Sequence, residues 1–105
     1  MIYFLSMVKI RVVNGSNGMR WLGRNYPKEN RIEINPRITR RSDRTLVIRH
    51  GRTEMPLRKK GMPYETAHRK AIKAEKRLAR KMGVNWPAYC KRMDNLYRRI
   101  KRKER

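Results

Sequence analysis

His50, Glu54 and His68 are the side chains of this chain whose types and spacing could hold a metal ion. His50 and Glu54 stand four residues apart, so a helix places both on one face. Two ligands from one helix and a third from another element is how zinc hydrolases build a site that keeps one position open. Two histidines in a basic protein can equally be unrelated, so the elements around them must decide. The rest of the sequence offers little other chemistry. It has no Ser/His/Asp set, no glycine-rich phosphate loop and no paired carboxylates near a histidine. Its eight acids are too sparse for a two-metal nuclease site, and no enzyme is expected.

Charge is the second signal. Thirty Lys and Arg stand against eight acids in 105 residues, a formal net charge of +22. Six basic and two acidic side chains fall in residues 1–35, leaving twenty-four and six in residues 36–105. A fold with that imbalance repels itself, and a polyanion is the natural compensating partner. The cationic candidates are Arg37, Arg40, Arg41 and Arg44 after the strands, Arg69, Lys70, Lys73, Lys76, Arg77, Arg80 and Lys81 in mid-chain, and Arg98, Arg99 and Arg102 near the end. Each phosphate contact releases about one counterion, so such a surface binds with steep salt dependence. Trp21, Tyr26 and Tyr64 lie near basic residues and could stack on unpaired bases, although packing of a small core explains such rings more simply.

The elements that must position these residues change character at Pro36. Val8, Ile10 and Val12 alternate with Lys9 and Arg11 over residues 8–13, the pattern of a half-buried strand. Asn14 to Gly18 reads as a turn. Met19 to Leu22 reads as a second short strand ended by Gly23, Tyr26 to Asn30 as another turn, and Arg31 to Asn35 as a third strand stopped by Pro36. Beyond it, Ser42 or Asp43 could cap a helix carrying Leu46, Val47, His50 and Glu54, weakened by Gly51 and ended or kinked by Pro56. Ala67, Ala71, Ala74, Leu78 and Met82 form one stripe of a helix over about residues 64–82. Gly83 is its expected stop. Asn85 then caps a last helix with Trp86, Tyr89, Cys90, Met93, Leu96, Tyr97 and Ile100 on one face. The expected fold is α+β: a small antiparallel meander of about three strands, then three helices, the last two a helical hairpin.

One domain, residues 1–105, suits this length. Residues 1–6 read either as an extension upstream of a start at Met7 or as a longer first strand, and residues 101–105 as a fraying basic tail. Met1 to Leu5 is too short to span a membrane, and the helical apolar stripes are needed internally, which argues against a membrane partner. The lone Cys90 forms no internal disulfide, which fits a reducing, cytoplasmic setting. Gln is absent while Lys, Arg and Glu abound, a bias of heat-loving sources.

Residues 30–55 and 61–71 run NRIEINPRITRRSDRTLVIRHGRTEM and GMPYETAHRKA. They resemble the small zincin-like proteins of archaea and their mobile elements, in which a strand precedes a helix with the first His and a later helix supplies another. The likeness spans about residues 24–80. It implies His50, Glu54 and His68 as ligands of a zinc ion. It also implies loss of hydrolysis, because Gly51 stands where a zincin keeps its general-base Glu.

There is no RRM aromatic signature, KH-type loop or zinc-finger spacing, and nothing specific marks residues 64–100 as a helix-turn-helix. The expected function is a small basic nucleic-acid-binding protein without catalysis. RNA, and a larger ribonucleoprotein assembly such as a ribosome, is favoured because short basic segments can order within folded RNA. A DNA-binding regulator or chromatin-type protein is the first alternative. A zincin-like metal-dependent hydrolase, or its inactive descendant, is the second.

Overall fold

The computed structural model describes residues 9–12 and 21–102. The proposed turn at 14–18, the choice between Met1 and Met7, and residues 103–105 lie outside the described residues. Three strands form the sheet: β1 (Lys9–Val12), β2 (Gly23–Tyr26) and β3 (Arg31–Ile34). Three helices follow: α1 (Arg41–Lys59), α2 (Tyr64–Met82) and α3 (Trp86–Arg102).

The α+β class holds, but the sheet is mixed and is not a meander. Its order is β1-β3-β2, with β1 parallel to β3 and β2 antiparallel to it. A meander needs neighbouring strands in chain order, whereas here β2 folds back on the far side of β3. Of the expected second strand, Met19 and Arg20 lie outside the described residues, and Trp21 and Leu22 form a bend before Gly23 begins pairing with Ile34. A 3₁₀ turn, Pro27–Glu29, and Asn30 at φ 50° close the β2–β3 hairpin. Asn is one of the few residues that enters this left-handed region at small cost.

Period-2 patterning sets the faces of β3. Ile32 and Ile34 are buried, while Arg31 and Glu33 lie half-buried on the other face. Ile34 and Ile38 form one core with Leu96 and Ile100 of α3, closed over by Ile10, Leu22, Val47, Ile48 and Met93. Leu46, Ala79 and Tyr89 form a second, joining all three helices. Burying each large aliphatic side chain contributes about 1.5–3 kcal/mol.

The helix signals need several corrections. Asp43 does not cap α1; Arg40 precedes the helix without a side-chain cap, and buried Asp43 turns to α3. There it accepts from Arg92 Nη2 at 2.7 Å and Nε at 3.1 Å. Pro56 does not end α1, which runs to Lys59. Gly51 is a close-approach residue: a Cβ there would stand 2.7 Å from Asn25 Oδ1 and 2.9 Å from Ile32 Cδ1. Its bare Cα lets α1 lie against the sheet.

The buried row of α2 is Ala67, Ala71, Glu75 and Ala79, with Ala74 and Leu78 half-buried and Met82 exposed. A carboxylate at the centre of the row is what apolar periodicity could not show. Gly83 ends α2 at φ 72°, with Val84 N–H donating to Ala79 O and Gly83 N–H to Arg80 O. This is a Schellman ending, and Val84 packs onto the helical core beyond it. Asn85 Oδ1 accepts from Ala88 N–H at 2.9 Å, so the expected cap of α3 is present. On α3, Tyr89, Leu96 and Ile100 are buried, whereas Cys90 is exposed and leaves the expected stripe.

Candidate metal centre and cationic surface

α1 projects His50 and Glu54 from successive turns toward α2, which presents His68 one turn from its start. Three atoms converge. His50 Nε2 lies 2.9 Å from Glu54 Oε2 and 3.1 Å from His68 Nδ1, and His68 Nδ1 lies 3.0 Å from Glu54 Oε2. Donor atoms bound to one zinc ion at about 2.1 Å, with angles between 90° and tetrahedral, stand about 3.0–3.4 Å apart. The observed triangle fits that spacing, and two imidazoles with a carboxylate are a familiar zinc donor set. Glu54 is 8 % exposed and His68 half-exposed, so the carboxylate is sheltered while the His68 side opens outward.

The surrounding groups orient these donors. Glu75 Oε1 lies 2.9 Å from His50 Nδ1, and the Tyr89 hydroxyl donates to Glu75 Oε2. An ionised carboxylate only accepts. With a metal ion on Nε2, His50 would keep its proton on Nδ1, where Glu75 accepts it. Asn25 Nδ2 donates to Glu54 Oε1 at 3.4 Å from the sheet. Tyr64, one turn before His68, stacks on its ring at 5.2 Å, and its hydroxyl lies 3.4 Å from His68 Nδ1.

Without an ion, the same cluster is a hydrogen-bonded network of imidazoles and carboxylates. Burial is the largest influence on His50 and pulls its pKa down, but the hydrogen bonds and charges of Glu75 and Glu54 outweigh it. The net direction is upward, favouring an imidazolium between two carboxylates. Burial foremost, and then Glu75, pushes the Tyr89 phenol up, which keeps it a proton donor. Glu54 and Glu75 thus do form a pair of carboxylates beside a histidine, contrary to the sequence reading. Glu75 and Tyr89 were missed because they sit 25 and 39 positions from His50. The one available signal was an acid interrupting an alanine row.

The position after His50 offers no base. Gly51 faces Asn25 and Ile32, so a side chain there would press on the sheet. A zincin uses a carboxylate at this position to take the proton of the metal-bound water, and Gly51 supplies none.

The cationic candidates separate by surroundings. Arg69, Lys70, Lys73, Lys76, Arg77, Arg80 and Lys81 are all exposed along α2, and none joins an ion pair among the described residues. Arg37, Arg40, Arg41, Arg99 and Arg102 are also exposed. Arg98 is exposed but pairs with Asp94 at 3.2 Å. Arg44 is half-buried and spends its Nε on Ile38 O at 2.6 Å, so it serves the loop before α1. Among the described residues, no helix is long and apolar enough to cross a membrane.

No protein-family model, curated protein or solved structure matches this chain.

Proposed function

We propose that this protein binds nucleic acid without catalysis, RNA in preference to DNA, and that a divalent metal ion at His50, Glu54 and His68 fixes the binding helix to the fold. One observation carries the reading: α2 has two opposed faces. Its inner face brings His68 and Glu75 to α1, and its outer face holds seven cations without acid partners among the described residues. Coulombic self-repulsion along that row is relieved when phosphates replace water. Support for RNA is narrower: exposed basic residues occur in the segment before α1 and at the end of α3 as well as on α2, a distribution suited to folded RNA. Labelled RNA and duplex DNA of equal length, titrated at several salt concentrations with and without zinc, test the reading. Binding that weakens steeply with salt, is tighter for RNA and weakens again on chelation is expected. Equal indifference to both polymers would sink it.

A second reading is a metal-dependent hydrolase of zincin type. It is favoured by the open side of the site, where three protein donors leave room for a further ligand. Gly51 counts against it, since the water would lack its carboxylate base. Zinc-dependent turnover of a peptide or phosphodiester, lost in His50→Ala, would establish this reading over the first.

A further inference from the structure

Trp21 is held in an unusual way for so large a ring. Its carbonyl accepts from Nδ2 of buried Asn35 at 3.0 Å, and Asn35 N–H donates to the carbonyl of Leu22 at 2.9 Å. Leu22 itself packs on the Ile34 core. The backbone is therefore pinned on both sides of the residue, yet Trp21 remains 41 % exposed. Leu22 packs against the apolar cluster and Trp21 does not, so core packing leaves this partly exposed indole unexplained.

The ring lies within a run of alternating aromatics and cations. Arg24 Cζ stands 5.8 Å from the Trp21 centroid and 5.2 Å from that of Tyr26. Lys101 Nζ, from the end of α3, stands 5.4 Å from Trp21 and 5.2 Å from Tyr97. Neither Arg24 nor Lys101 joins an ion pair among the described residues. Glu33, opposite Arg24 in the sheet, pairs with Arg31 instead. A partly exposed indole with two cations at 5.8 Å and 5.4 Å from its centroid matches the repeating chemistry of a nucleic acid strand, a flat base between phosphates. In a duplex the base faces are already stacked inside, so only an unpaired base can reach the indole.

We propose that Trp21, flanked by Arg24 and Lys101, is a base-stacking site for single-stranded nucleic acid. This rests on the nucleic-acid reading above and adds the form of the strand. The outer face of α2 supplies backbone affinity for any polyanion; Trp21 supplies the preference for unpaired bases.

The full-length protein is titrated with oligouridine, oligothymidine and a duplex of matched length, followed by tryptophan emission and by the anisotropy of the labelled strand. Both single strands should quench Trp21, and the duplex should not. Trp86 packs on Tyr89 at 5.4 Å and serves as an internal reference. Loss of one stacked base means that Trp21→Leu should weaken single-strand binding about tenfold and leave duplex binding within about twofold. If the variant does not fold, Trp86→Phe isolates Trp21 emission, and the quenching contrast decides alone. Oligouridine against oligothymidine tells RNA from DNA as the source of the base. Binding of all three polymers without quenching, or equal loss on single strands and duplex, overturns the stacking site and leaves the cationic surface standing. Binding of none overturns both readings.

Discussion

Glu75→Gln tests the metal centre where the structure makes its most specific statement. The substitution keeps volume and hydrogen-bonding reach, so the amide oxygen can still accept from His50 Nδ1 and the amide nitrogen can donate to the Tyr89 hydroxyl. What it removes is the negative charge, at a residue only 7 % exposed, which would hold the proton of a metal-bound His50 on Nδ1. Loss of a carboxylate partner behind a metal-bound histidine typically costs 10–100-fold in affinity, or about 1.4–2.7 kcal/mol. Zinc affinity, measured by competition with a chromophoric chelator near neutral pH, should therefore fall by about one to two decades. Glu65→Gln, on the exposed start of the same helix, is the control and should change nothing. Thermal melts of both variants without metal separate a binding defect from a folding defect. An affinity for Glu75→Gln within about twofold of the parent protein would refute the claim that Glu75 positions His50.

Further outcomes follow from the same geometry. Tyr89→Phe removes the donor that links α3 to Glu75 and leaves that buried carboxylate short of a partner. It should lower stability by about 1–3 kcal/mol in denaturant titration. Asp43→Ala strips the bidentate partner from Arg92 and should lower stability by a similar amount, about 1–3 kcal/mol. Leu46→Ala, at a fully buried site shared by all three helices, should cost about 2–5 kcal/mol by the same measurement. In metal-free protein the raised His50 pKa contributes stability that is complete below the ordinary histidine range and is lost as pH rises through the raised value. The melting temperature of chelated protein should therefore decline as pH rises above the ordinary histidine range. Zinc should narrow or reverse that decline, because deprotonation then favours the bound ion.

Local chemistry carried much of the fold. Gly83 and Asn85 were legible as the stop and start around the α2–α3 turn because each does one job with its own backbone or side chain. Ile32 and Ile34 were legible because period-2 patterning fixes a strand's faces. Strand order was not, since the pattern of β1 reads the same whether its neighbour runs parallel or antiparallel. Asp43 was misjudged as a cap, and the packing role of Gly51 was not visible, for a related reason. A cap and a helix-weakening glycine are local readings, whereas Arg92 and the Asn25–Ile32 edge that engage these residues come from distant segments. His50, Glu54 and His68 could be grouped from spacing and resemblance. The groups that orient them could not, because Glu75 and Tyr89 join only when three helices pack.

The central claim is that the outer face of α2 binds phosphates. Its most direct test is the slope of log affinity against log salt for labelled RNA, in the parent protein and in Arg69→Ala/Lys73→Ala/Lys76→Ala/Arg80→Ala. All four residues are exposed and outside the core, so the variant should fold as the parent does. Each lost phosphate contact should flatten the slope by about 0.7–0.9, so a loss of about 3 with weaker binding is predicted. An unchanged slope together with unchanged affinity would contradict the account.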